Sequence, residues 1–230
     1  MKKNIPKFLA IFSIQSIVFL SIFVIFSQAN SQNMTDNTTI NNNSLNLSSS
    51  GQVVPSCEMT VPTIQGPFYK EGSPVQNKLA KGIEGERLIV TGKVYNFFTC
   101  EPISGAILDF WQADSNGTYD ITGFTLSGKV ISDKNGNYTL DTVIPGNELT
   151  GNILRPAHIH VKAWIPDNPG NPTLVTQLYF KGDPYMDEFV NDKLILTPSI
   201  KNGTKFANFD FGLEDYRELY KNLTQEYKLQ

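Results

Sequence analysis

Histidine is nearly absent from this 230-residue chain. There are two, and both lie in one pentapeptide, Pro156-Ala157-His158-Ile159-His160. Any histidine chemistry is therefore confined to one place. Cysteine is equally scarce: Cys57 and Cys100 allow a single disulfide at most. No cluster of basic residues interrupts a composition of 19 Lys and Arg against 22 Asp and Glu, net charge −3, so no nucleic-acid face is marked. No repeat of fixed period appears, which argues against a solenoid or propeller. There is one long apolar run and no second.

That run occupies residues 8–26, behind Met1-Lys2-Lys3 and Lys7, and is followed by Ser27-Gln28-Ala29. A positive start, an apolar centre and a small-residue exit predict a signal peptide over residues 1–29, cut after Ala29. The run is also nearly long enough to span a bilayer, so an uncleaved anchor is the alternative. Either way the remainder is expected to be exported, hence secreted or extracellular, with membrane contact only through an uncleaved N-terminal segment. Residues 30–52 are rich in Asn, Ser and Thr and predict a disordered linker, because so few apolar groups cannot offset ordering entropy. Asn33, Asn37, Asn42, Asn46, Asn116, Asn137, Asn202 and Asn222 begin sequons, which permit glycosylation. Residues 53–230 are the length of one domain. In an exported protein Cys57 and Cys100 are expected to pair; two free thiols are the alternative.

Short apolar segments punctuated by Gly, Pro, Asn and Asp predict strands over 87–95, 106–112, 129–132, 138–144, 158–165, 174–180 and 205–211. Many short strands at close spacing imply an all-β sandwich or barrel. Helix is expected over 213–227, with a turn near 187–190. Residues two apart in a strand share a face, so His158 and His160 aim their imidazoles at one point. Histidine is the commonest transition-metal ligand. Such a pair is a metal site or, alternatively, two polar residues on a solvent-facing strand.

The motifs together resemble the intradiol ring-cleavage dioxygenases, the catechol and protocatechuate enzymes, and in particular their exported branch. Thr63-Ile64-Gln65-Gly66-Pro67-Phe68-Tyr69 is similar to the family's leading segment. Gly105-Ala106-Ile107-Leu108-Asp109-Phe110-Trp111-Gln112-Ala113-Asp114 through Gly117-Thr118-Tyr119 resembles its signature strand and turn. Asp133 through Gly136, Tyr138 and Pro145-Gly146 fit the next hairpin. Arg155-Pro156-Ala157-His158-Ile159-His160 resembles the metal strand, and Gln177-Leu178-Tyr179-Phe180 with Gly182-Asp183-Pro184 the strand after it. The resemblance covers about 63–185 and implies a prealbumin-like β-sandwich with a short C-terminal helix.

It also implies ferric iron, Fe(3+), held by Tyr119, His158 and His160, a hard cation stabilising the phenolate. The family places a second tyrosinate two residues after the Pro-Gly turn; here Pro145-Gly146-Asn147 is followed by Glu148. Three outcomes stay open: Glu148 binds iron in its place, water completes the site, or the site is metal-poor and inactive. Tyr138 reads as packed. Arg155 is expected to stabilise charge on the reacting ring, and Gln177 to face the same pocket. Trp111 and Tyr179 are expected in the core. The implied reaction is O2 insertion between the hydroxylated carbons of a catechol-type diol. A non-enzymatic prealbumin-like binding module and a catechol-binding iron protein without turnover are the alternatives. The family's habit also allows a homodimer.

Overall fold

The computed structural model describes residues 46–47, 53–54, 57–168 and 170–217. The expected signal or anchor lies outside these residues. Of the expected linker, Asn46–Leu47 (β1) is described, paired antiparallel with Val53–Val54 (β2). The strands that follow are β3 (Arg87–Asn96), β4 (Ile107–Gln112), β5 (Ser127–Ile131), β6 (Asn137–Val143), β7 (Glu148–Thr150), β8 (Ile153–Arg155), β9 (His158–Trp164), β10 (Leu174–Phe180), β11 (Ile195–Leu196), β12 (Ser199–Lys201), β13 (Thr204–Asn208) and β14 (Phe211–Leu213).

They form two main sheets. One runs β11-β10-β9-β4-β5; in the other β3 pairs antiparallel with β6 on one side and parallel with β13 and β14 on the other, with β12 beyond β13. Leu88, Val90, Val94, Leu140 and Phe211 of the second sheet join one core with Leu108, Phe110, Ile159, Val161 and Leu178 of the first. Phe110 lies between the sheets, 6.0 Å from Tyr138 and 6.4 Å from Phe211 by ring centroids. This is the expected sandwich.

Some expectations need correcting. The expected helix over 213–227 does not begin at its first residues: Leu213 closes β14, residues 214–216 are irregular, Arg217 is helical, and 218–227 lie outside the described residues. The single expected strand over 205–211 is two. Lys93 N donates to the Asp210 carboxylate rather than to a backbone carbonyl, which interrupts the parallel ladder between β13 and β14. The expected strands leave 145–157 without one, yet β7 and β8 form a hairpin there. Its two-residue turn, Gly151-Asn152 between β-prone triplets, was the legible signal. Residues 187–190 do form a turn, closed by Val190 N to Asp187 O, and a single 3-10 turn follows at Asp192–Leu194.

Cys57 and Cys100 are disulfide-bonded, with Cα atoms 5.6 Å apart. The bond ties the start of the leading segment to the β3–β4 connection. From there the segment crosses the outer face of the β10-β9-β4 sheet. Thr63 N donates to Val175 O, Thr176 Oγ1 to Val61 O, and Gln177 Nε2 to Ile64 O.

Candidate metal centre

Over His158–Val161 strand β9 is buried on both sides. Ile159, Val161 and Ala163 face the sandwich core, while His158 and His160 alternate with them and point to the outer face. The register fixes their neighbours: Gln177 and Trp111 flank His160, and Tyr179 lies opposite His158. Both imidazoles are nearly inaccessible, at 2% and 1% exposure.

The fourth side of this face is built by a glycine. Gly117 has φ +81° and lies so close to Asn147 that a Cβ would sit 2.1 Å from its carbonyl oxygen. Only glycine lets the turn after β4 dock on the Pro145-Gly146-Asn147-Glu148 turn. Gly146 N to Asp114 O, 2.8 Å, closes the same contact. This docking brings Tyr119, two residues past Gly117, and Glu148, one past Asn147, to the histidines. Asp183 locks the other side: its carboxylate accepts from Asn147 Nδ2 at 2.8 Å and Ala157 N at 3.0 Å.

Three donor atoms converge. His160 Nε2 lies 3.0 Å from His158 Nε2 and 3.0 Å from Tyr119 Oη, and Tyr119 Oη is 3.4 Å from His158 Nε2. Nitrogen and oxygen ligands bind first-row metals at about 2.0–2.2 Å, which spaces neighbouring donors about 3–3.5 Å apart. The triangle therefore fits one metal ion. Among the described residues no three of His, Cys, Asp and Glu form such a group, so the phenol is needed to complete the set.

His158 Nδ1 lies 2.6 Å from Pro156 O. Donation there fixes the tautomer and leaves the Nε2 lone pair for the metal. His160 Nδ1 has no such partner. Its ring plane is set by packing: Trp111 stacks on it at 4.7 Å and 5°, and a Cβ on Gly66 would approach Cε1 to 3.1 Å. Burial lowers the pKa of His158, and lowers that of His160 well below the usual imidazole value, with His158 and Arg155 adding to the effect on His160. Both rings are thereby kept neutral, as ligands must be. Burial foremost, then the Glu148 charge, pushes the Tyr119 phenol upward. A bound cation supplies what this pocket lacks for phenolate formation.

Glu148 is 4% exposed. Thr150 Oγ1 donates to Oε1, and Oε2 has no hydrogen-bond partner. That orphaned oxygen stands 3.7 Å from His158 Nε2 and 3.7 Å from Arg155 Nη1. Arg155 Nη2 also donates to Gln177 Oε1 at 3.1 Å, and Tyr179 Oη donates to the same oxygen at 2.8 Å.

Every residue expected at the site, Tyr119, Glu148, Arg155, His158, His160 and Gln177, is thus brought together. Trp111 and Tyr179 require correction: both are buried, but on the outer face against the histidines rather than in the sandwich core. Alternation places them there, since they pair in register with His160 and His158. Tyr138 is packed on the other sheet, donating to Phe209 O at 2.8 Å. Sequence reasoning missed the role of Phe68, which stacks on Tyr119 at 4.3 Å and 15°, and of Thr150 and Asp183. Phe68 had a signal, its place beside Gly66-Pro67 in the leading segment.

A family model described as Dioxygenase matches residues 64–215, running past the expected end near 185 to take in β11–β14. The chain is 31% identical over 193 residues to a chlorocatechol 1,2-dioxygenase of Pseudomonas putida, covering 72% of this chain and 73% of that one. It is 34% identical over 151 residues to a catechol 1,2-dioxygenase of Candida albicans, covering 55% and 48%. Among solved structures, the dioxygenase domain of a dioxygenase carbohydrate-binding fusion from Streptomyces sp. SirexAA-E superposes with TM-score 0.61 at 38% identity, over 68% of this chain and 99% of that one. The chain thus spans from about half to three quarters of the length of these two curated relatives.

Proposed function

The chain belongs to the intradiol ring-cleavage dioxygenase family, and from that premise we propose that it is an exported non-haem ferric enzyme that opens catechol-type rings with O2. The observation that carries the reading is the convergence of Tyr119, His158 and His160 on one point, with the orphaned Glu148 carboxylate oxygen at its edge. A binding or spacer module has no use for such a set. The disulfide supports the exported location, because such bonds persist in oxidising compartments.

Tyr119, His158 and His160 would hold the iron, and Glu148 Oε2 would be the fourth protein donor in place of a second tyrosinate. When bound, ferric iron supplies the Lewis acidity that draws in a diolate and makes its ring reactive toward O2. The remaining steps belong to the chain. Glu148 Oε2, free of any hydrogen bond, would take a proton from a substrate hydroxyl, while Thr150 keeps the other oxygen oriented. Arg155, held between Glu148 and Gln177, keeps its charge beside the ring and stabilises negative charge that develops there. Gln177 is fixed by Tyr179 and by the Ile64 carbonyl, so Arg155 is aimed before substrate arrives.

Catechol added to the iron-loaded protein is expected to shift a tyrosinate-to-iron absorption band. O2 uptake should match the muconate-type diacid formed, and His160→Ala should abolish iron and uptake together. Glu148 at the tyrosine position also favours a second reading, a protein that chelates catechols without turnover. A band that shifts with no O2 uptake from catechol, chlorocatechol or hydroxyquinol would establish it and reject the enzyme.

A further inference from the structure

The three metal-binding side chains are anchored very differently. His158 and His160 sit in the middle of a sheet, with β4 and β10 hydrogen-bonded on either side of β9. Tyr119 sits in an irregular stretch, residues 113–126, between β4 and β5. A donor atom must be held to a fraction of an ångström to bind metal well, so something other than a ladder has to fix this loop. On the side before Tyr119 the docking of Gly117 on Asn147 does so.

On the side after it, the loop folds around the Asp120 carboxylate. Oδ1 accepts from Thr122 N at 3.0 Å and Gly123 N at 2.7 Å, and Oδ2 from Thr125 N at 3.0 Å. These bonds satisfy amides and leave the inward carbonyls of Asp120 and Gly123. One side chain takes both: Lys70 Nζ donates to Asp120 O at 2.6 Å and to Gly123 O, and stands 5.1 Å over the Phe124 ring. Lys70 comes from the leading segment, two residues after Phe68, which stacks on the Tyr119 ring itself. Alternate residues of an extended segment thus hold the ring and the loop of the same ligand.

The geometry points to Lys70 as a positioning residue for the Tyr119 ligand: its ammonium latches the turn of residues 120–125 so that the phenol oxygen stays within bonding range of the metal point. The inference rests on the reading of Tyr119 as an iron ligand. Lysine suits the role, since an ammonium can donate to two carbonyls at once while standing over an aromatic face.

The test uses the full chain with Lys70→Met and Lys70→Arg. In the metal-free protein, Lys70→Met is expected to speed hydrogen exchange at the Thr122, Gly123 and Thr125 amides at least about tenfold and to leave the amides of β9 unchanged. In the iron-loaded protein it should shift or weaken the tyrosinate-to-iron band and lower iron affinity about 10–100-fold, the usual cost of removing a group that orients a ligand. Lys70→Arg, which keeps the charge and the donors, should restore much of both. Lys70→Gln, which keeps a donor, replaces the methionine variant if that one fails to fold. A wild-type band unchanged in Lys70→Met, with unchanged loop exchange, overturns the inference alone. A wild-type protein that takes up iron with no tyrosinate band overturns the ligand reading and the inference with it.

Discussion

Over His158–Val161 the two faces of strand β9 are both hidden and have opposite chemistry. On one face Ile159, Val161 and Ala163 meet the second sheet through Phe110 and its neighbours; on the other His158 and His160 meet Tyr119, Glu148, Trp111 and a glycine. Burial on the first face is favourable, since apolar surface leaves water at roughly 25 cal/mol per Å². Burial on the second is costly, because it strips water from imidazoles, a phenol and a carboxylate. The sandwich stabilises the fold, and its stability sustains a face that only a bound cation makes comfortable. The inner face should answer to changes in volume and the outer face to changes in charge and ligation.

The largest expected effect separates the faces cleanly. His160→Ala should reduce bound iron from one equivalent to near zero while the metal-free chain still unfolds cooperatively, measured by metal analysis beside a urea titration. If it unfolds the protein as a core deletion does, the faces are not independent. Phe110→Ala should do the converse. It should cost about 3–5 kcal/mol in urea unfolding, and protein that remains folded should still bind iron. Replacing Cys57 and Cys100 by Ser releases a closure of 43 residues. This should cost about 2–4 kcal/mol, read as a fall in the urea midpoint. The effect should be greatest on the segment lying over the outer face.

Glu148→Leu sharpens the comparison because its sign depends on the metal. Removing a buried carboxylate with an orphaned oxygen should leave the metal-free protein as stable or more stable, by up to about 1–4 kcal/mol. The same change should weaken iron binding at least about tenfold. Destabilisation in both states would show that Glu148 is structural. The smallest effect concerns Asp109, also on the outer face, between Lys129 and Lys162 in register and hydrogen-bonded by Tyr69 and Ser73. Burial is the main cause of its raised pKa, above the reference 3.8. The folded state then holds this proton more tightly than the unfolded state, so this group's contribution to stability falls as pH rises from about 3.8 to the raised value. Asp109→Asn should flatten that slope in urea titrations taken across the acid range.

The strands with clear alternation or long β-branched runs were legible: β3, β4, β6, β9 and β10 lie within a residue or so of their expected bounds. The shorter β7, β8, β11 and β12 were not, since two or three residues carry no period. The same limit explains Trp111 and Tyr179. A strand buried on both faces shows no apolar alternation, so an aromatic residue in it could face the core or the site, and only register assigns it. Glu148 was legible as a departure from a motif; its burial and its free oxygen were not.

By itself the sequence determined which donors exist and where the chain carries them: two histidines on alternate positions of one strand, a tyrosine after a glycine turn, and a glutamate where the family motif has a phenol. These are properties of residue order and strand period, and they survive without coordinates. Only the tertiary structure decided that the four meet. Gly117 has room for the Asn147 carbonyl, Asp183 ties that turn to the start of β9, and Lys70 reaches across 50 residues to hold the tyrosine loop. Contacts between segments distant in the chain depend on shape and on leftover hydrogen-bonding groups, neither of which is written in any local pattern.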